Sequence, residues 1–153
     1  MWTKTKSLFL SRILTAVTTG MVIIMTFFVP SIAKWYNEFS QGFGLFGDSG
    51  IVIPMCVSIY ICEVFALIAL HSLHVLLANI NREEVFTEQN TSCLRKISWA
   101  CMFAGLVLFV FGLWRFIFIL ASFLAVMFGL VMRVLKNVFE KAVEIKSEND
   151  FTI

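Results

Sequence analysis

Hydrophobic positions fall into four long runs with short polar punctuation between them: Ile13 to Ala33, Ile51 to Ala78, Ile97 to Leu113 and Phe116 to Leu135. A bilayer core about 30 Å thick takes about 20 helical residues at ~1.5 Å each. The first, second and fourth runs reach that length, and the second is long enough to tilt or protrude. The third is short alone and must draw on helical residues before it. Only Trp114 and Arg115 separate the third run from the fourth. As one helix the two would extend about 60 Å, twice the core, so they must fold back as a tight hairpin with Gly112 and Arg115 near the turn. Ala121, Ala125 and Gly129 recur every fourth position of the fourth run, while Cys101, Gly105 and Gly112 mark one side of the third. Stripes of small residues let helix backbones approach closely in lipid.

The pattern predicts an all-α fold: an integral membrane four-helix bundle with helical cytoplasmic extensions of the third and fourth spans. A single membrane domain covers residues 1–153, with spans at about 13–33, 51–78, 97–113 and 116–135. The cytoplasmic segments are 1–12, 79–96 and 136–153, and 34–50 forms the outer loop.

Composition agrees. With 59% hydrophobic and 14% charged residues, the 153-residue chain is too apolar for a water-soluble globule. A net charge of +2 leaves no electrostatic footprint for nucleic acid, so direct nucleic-acid binding is not expected. The placement of the charges says more. Lys4, Lys6, Arg12, Arg82, Arg95, Lys96, Arg133, Lys136, Lys141 and Lys146 all fall on one side of a four-span chain, and only Lys34 and Arg115 on the other. The positive-inside rule makes the crowded side cytoplasmic and puts both termini there.

The start of the chain has the elements of a secretory leader: basic residues, an apolar run and Ser31-Ile32-Ala33 as a small-x-small site. The run from Ile13 to Val29 exceeds a signal core and more spans follow, so a retained first span is expected. Cys56, Cys62, Cys93 and Cys101 include no C-x-x-C pair, which excludes a membrane disulfide-exchange enzyme.

Within the membrane the second span carries Glu63, His71 and His74. At 100° per residue Glu63 and His74 lie about 20° apart around the helix. Ionisable groups in lipid are costly and face the bundle interior. Glu63 therefore serves either an interhelical hydrogen bond or a proton- or cation-linked site. His71 and His74 lack a third ligand, so no metal is expected. No nucleophile–base set, phosphate loop or dinucleotide motif is present, and neither catalytic activity nor a cofactor is expected.

Two cytoplasmic pieces remain. Thr87 is a good N-cap, with Glu88 favourable at the positive end of the helix that follows and Asn90 where a capping-box Glu or Gln would stand. That helix should run on into the third span. After Arg133 the fourth helix also continues, with Leu135, Val138, Phe139, Ala142 and Ile145 at helical spacing, and ends near Asn149. This apolar stripe must meet the Thr87–Lys96 helix, the lipid surface or another protein. The closing Phe151-Thr152-Ile153 is more apolar than a solvated tail requires.

Two of these segments carry a resemblance: Val85-Phe86-Thr87-Glu88-Gln89-Asn90 leading to Leu94-Arg95-Lys96-Ile97-Ser98-Trp99, and Ala142 through Ile153 with its Lys146-Ser147-Glu148-Asn149-Asp150-Phe151-Thr152-Ile153 close. The chain resembles the bacterial membrane proteins of domain of unknown function 2975, whose pattern shows a similar F-T-x-x-N before the third span and a similar K-x-E-N-D-L-T-I close. Ser147 and Phe151 are mild departures. The resemblance implies a bacterial cytoplasmic-membrane protein encoded beside a small helix-turn-helix regulator. The expected function is thus a non-enzymatic sensor or anti-regulator that binds such a regulator. Phe86, Thr87, Asn90, Leu94, Arg95, Glu148, Asn149, Asp150, Phe151, Thr152 and Ile153 form either the contact or an internal latch. Two alternatives stand beside it: a small proton- or cation-linked transporter using Glu63, and a structural subunit of a larger membrane complex. Besides the lipid bilayer, a homodimer through the small-residue stripes stays open.

Overall fold

The computed structural model describes residues 4–39, 44–45 and 50–150, and of residues 4, 5 and 150 only the backbone. Among these residues the regular elements are four α-helices: α1 (Lys4–Phe39), α2 (Val52–Asn81), α3 (Glu88–Gly112) and α4 (Ile117–Asp150). Each is long and apolar enough to cross a membrane. The third run, short in sequence, gains its length as expected, because α3 begins just after Thr87 and continues without a break to Gly112.

Packing runs from neighbour to neighbour. α1 lies against α2, α2 against α3, and α3 most extensively against α4. The end that carries the start of α1, the end of α4 and the α2–α3 connection is the terminal face, and the opposite end the hairpin face. At the hairpin face Ala33, Ile51, Met55 and Phe111 are buried together, with Tyr36, Trp114 and Phe118 packed around them. Phe111 and Phe118 meet edge to face at 4.8 Å between ring centres, a favoured aromatic geometry. Arg115, between α3 and α4 as expected, is only 1% exposed. The Leu45 amide donates to the Leu113 carbonyl at 2.7 Å and ties the α1–α2 connection to the α3–α4 turn.

Two local features follow from single residues. Pro30 sits inside α1 and has no N–H to give the carbonyl of Thr26, four residues earlier. The Tyr60 hydroxyl of α2 approaches that same carbonyl at 3.5 Å, a long hydrogen bond that pins the weakened turn of α1 to its neighbour.

The α3–α4 hairpin rests on a paired device. Ser98 donates its hydroxyl to the Gly129 carbonyl at 2.8 Å, and Ser122 donates to the Gly105 carbonyl at 2.6 Å. Each glycine backs onto the serine that serves it. A Cβ on Gly105 would lie 3.2 Å from the Ser122 carbonyl oxygen, and one on Gly129 would lie 3.1 Å from that of Ser98. The two serine–glycine pairs are symmetric about the Leu113–Trp114 bond, as an antiparallel hairpin requires. The small-residue reading of Gly105, Gly112 and Gly129 thus meets its partners, and the two serines, which that reading does not include, complete the contact.

Candidate functional site

The terminal face is built around the α2–α3 connection. Glu83 has a positive φ of 64° at the end of α2. Its amide donates to the Ile80 carbonyl at 3.1 Å, and the Glu84 amide donates to the Asn79 carbonyl at 3.1 Å. This is the Schellman closure, here with glutamate at the left-handed position that glycine usually takes. Backbone strain there needs something to hold it.

Asn90 holds it. This residue is 0% exposed. Its side-chain amide donates to the carbonyls of Glu84 and Val85, both at 2.7 Å, and its oxygen accepts from Asn79 Nδ2 at 2.8 Å. Thr87 caps α3 as its residue type predicts, accepting from the Asn90 amide at 3.3 Å. Asn90 therefore does not complete a capping box; its side chain turns to the loop instead. Phe86, just before the cap, rests on Phe139 of α4 with ring centres 5.7 Å apart. Leu76, Cys93 and Leu94 form a buried cluster beneath, with Met132 and Phe139 packed against it.

These contacts divide the residues singled out in sequence. Asn90 and Leu94 are buried and support the face from within; Phe86 and Arg95 are exposed on it. Glu148 and Asn149 are exposed at the end of α4. The side chain of Asp150 and all of Phe151, Thr152 and Ile153 lie outside the described residues.

The apolar stripe of the α4 extension is split. Phe139 packs on α3 and Ala142 is half-buried, but Leu135, Val138 and Ile145 are exposed. The face that α4 presents to α3 runs instead through Met132, Lys136, Phe139 and Val143, roughly 100° around the helix from the centre of the stripe. The register fixed by the serine–glycine pairs carries that face outward, and a single α3 helix covers only part of the α4 circumference.

Between the two extensions lies an open groove of about 630 Å³, lined by Glu88, Ser92 and Arg95 of α3 and by Glu140, Val143 and Glu144 of α4. Arg95 reaches Glu140 at 3.5 Å, and Lys136 bonds the same carboxylate one helical turn away. The hydrogen bond from Lys136 holds the Glu140 carboxyl below its usual value of 4.5; desolvation opposes this, and the charges of Lys136 and Arg95 add to the lowering. Because the folded value is depressed, the stabilisation is complete above about 4.5 and is lost as pH falls through the folded value. The α3–α4 bridge should thus be constant across the neutral range and weaken only in acid. Both partners are exposed, so the effect is small and salt-screened. Melting of the Glu140→Gln protein should show less acid sensitivity than wild type; equal sensitivity would assign the acid response to other carboxylates.

The intramembrane polar residues do not converge on one place. Glu63 is half-buried and lines an apolar cavity of about 320 Å³ with Thr18 and Met25 of α1, Ser58 and Cys62 of α2 and Phe111 of α3. His71 borders a different groove, beside Ser72 and Lys96. His74 is exposed, about 16 Å along the axis from Glu63, so shared azimuth does not bring the two together. Among the described residues no three His, Cys, Asp or Glu side chains are grouped to hold a metal ion.

Four apolar helices of this length define a multi-pass α-helical membrane protein. The chain belongs to the family described as protein of unknown function (DUF2975), whose model matches residues 45–153. That segment contains α2, α3, α4 and the whole Asn79–Asn90 clasp. No curated protein and no solved structure matches the chain.

Proposed function

We propose that the protein is a non-enzymatic regulatory module of the bacterial cytoplasmic membrane, and that its terminal face captures a small basic helix-turn-helix regulator. The excess of lysine and arginine at that face makes it cytoplasmic in this reading. The observation that carries the proposal is the groove between α3 and α4. Its lining bears three carboxylates, Glu88, Glu140 and Glu144, beside Arg95. Glu140 is paired with Arg95 and Lys136 and Glu144 with Lys141, so a basic partner meets carboxylates whose present cations are exchangeable surface groups. A DNA-binding partner is basic, and an acidic groove steers it and fixes its orientation. The clasp at Asn90 holds the groove's α3 wall in place, and Glu148 and Asn149 continue its acidic and polar edge along α4.

The test is a detergent-stable pull-down from the native cell, comparing wild type, a chain ending at Ser147 and the groove variant Glu88→Lys/Glu144→Lys. The expected result is recovery of one small helix-turn-helix protein by wild type, its loss on truncation, and at least a roughly tenfold reduction by charge reversal. If all three forms return alone and well folded, regulation by stable capture is wrong.

A second reading, a small cation-linked transporter, is favoured by the cavity at Glu63. Glu63→Gln in the same experiment leaves capture unchanged under the first reading; under the second it abolishes cation-driven flux into vesicles.

A further inference from the structure

Where α3 and α4 leave their apolar spans, three cations from two helices converge. Arg95, Arg133 and Lys136 line a small cavity of about 80 Å³ together with Ser98 and Trp99. Glu140 is shared between Arg95 and Lys136, so three positive charges face one carboxylate. The Arg133 guanidinium lies over the Trp99 ring, 5.2 Å from its centre, which fixes a side chain that otherwise would range freely. The Ser98 hydroxyl is committed to the Gly129 carbonyl, so it anchors the wall and supplies no donor.

The size and surroundings of the cavity select the ligand. About 80 Å³ is the room of two or three water molecules. A phosphate group fits, with the rest of its molecule lying outside the cavity. Trp99 and Arg95 also border an apolar groove of about 350 Å³ between α2 and α3, lined by Phe65, Ile68, Ala100 and Phe103. Trp99 stacks on Phe103 at 5.5 Å, and Phe103 on Phe65 at 5.7 Å, forming a continuous aromatic wall. A site that is cationic at one end and apolar along its length suits an amphiphile with an anionic head.

We propose that Arg95, Arg133 and Lys136 bind the phosphate of an anionic phospholipid whose acyl chain lies along Trp99 and Phe103 in the α2–α3 groove. Clustered cations at the level where a span ends are the recurring chemistry of lipid headgroup sites, and arginine suits phosphate in particular. The inference does not rest on the regulator reading. It assigns the lipid-facing side of α3 a bound annular partner, and it places that partner against Arg95, which the groove on the other flank also uses.

The intact protein in uncharged detergent is titrated with dioleoyl phosphatidylglycerol or dioleoyl phosphatidylcholine, and complexes are counted by native mass spectrometry. Wild type should prefer phosphatidylglycerol. Arg133→Gln/Lys136→Gln should weaken that lipid roughly ten- to thirtyfold while leaving phosphatidylcholine unchanged, and Arg133→Lys should keep most of the preference. Equal binding of the two lipids by wild type, or a preference that survives in the double variant, overturns the site. Inorganic phosphate serves as the soluble competitor; if it binds as tightly as phosphatidylglycerol, the site takes a free anion and the lipid assignment fails. A measurement independent of the double variant's folding uses phosphatidylglycerol brominated in its acyl chains. It should quench tryptophan emission of wild type beyond brominated phosphatidylcholine, with the excess missing from Trp99→Phe. No excess in wild type also overturns the proposal.

Discussion

Asn90→Ala unfastens the α2–α3 connection and should be among the most destabilising single changes at the terminal face. Three hydrogen bonds disappear together: two donated to the Glu84 and Val85 carbonyls and one accepted from Asn79. Each contributes on the order of 1 kcal/mol net, and the buried Asn79 amide is left without its acceptor, so the total is about 2–4 kcal/mol. Removing the cap alone with Thr87→Ala should cost about 1 kcal/mol. The difference in mechanism is also visible locally. Without Asn90 the positive φ of Glu83 loses its side-chain support and keeps only the two backbone hydrogen bonds of the closure, and amides across residues 82–90 should lose exchange protection before the spans do. Hydrogen exchange combined with thermal unfolding in detergent measures both. If Asn90→Ala costs no more than Thr87→Ala and exchange is unchanged, the turn is held by the Phe86–Phe139 contact instead.

Gly129→Leu and Gly105→Leu should each force α3 and α4 apart, at a cost of about 1–3 kcal/mol. The added Cβ on Gly129 meets the Ser98 carbonyl oxygen and Met102 Cγ, at 3.1 and 2.9 Å. A methionine side chain can give way; a helix carbonyl cannot move without its helix. In lipid no hydrophobic force pulls two apolar helices together, so close backbone packing is the principal attraction, and separation forfeits it along the whole contact. Ser98→Ala and Ser122→Ala remove one hydrogen bond each, and interhelical bonds in membranes average only about 0.6 kcal/mol. The glycine variants should therefore be worse than the serine variants. Loss of helicity on titration with a denaturing detergent ranks the four. The reverse order would mean that hydrogen bonds, not close approach, hold the hairpin.

Much of this architecture is legible in the sequence. Apolar length marks the four spans, the two-residue gap at Trp114 and Arg115 demands the hairpin, and Thr87 announces the start of α3. The hairpin register was less accessible. A search for Ala, Gly and Cys at four-residue spacing finds Gly105 and Gly129 but passes over Ser98 and Ser122, because the signal is a serine seven residues before a glycine, repeated in both helices. Asn90 read as a flawed capping residue, since its true acceptors lie in a turn closed by Glu83, where sequence rules look for glycine. The α4 extension misled in a different way: its most regular apolar stripe is not its packing face. Helical periodicity gives the width of a stripe, whereas the direction it faces is set by residues elsewhere, here the glycines of the span. Glu63 and His74 share an azimuth but not a depth, and angular projection discards depth.

The symmetric serine–glycine register has a mechanical consequence. Sliding α3 along α4 by one residue moves each serine ~1.5 Å from the carbonyl it serves and brings new side chains against each glycine, straining both contacts at once, so the hairpin resists shear. Displacement of the Leu113–Arg115 turn is then transmitted as a tilt of one stiff lever. α4 spans about 50 Å, and a tilt of about 5° moves its far end by about 4 Å, comparable with the width of a side chain. A small rearrangement at the hairpin face would thereby shift the α3–α4 groove as a unit against α2, with its width kept by the Ser98–Gly129 contact.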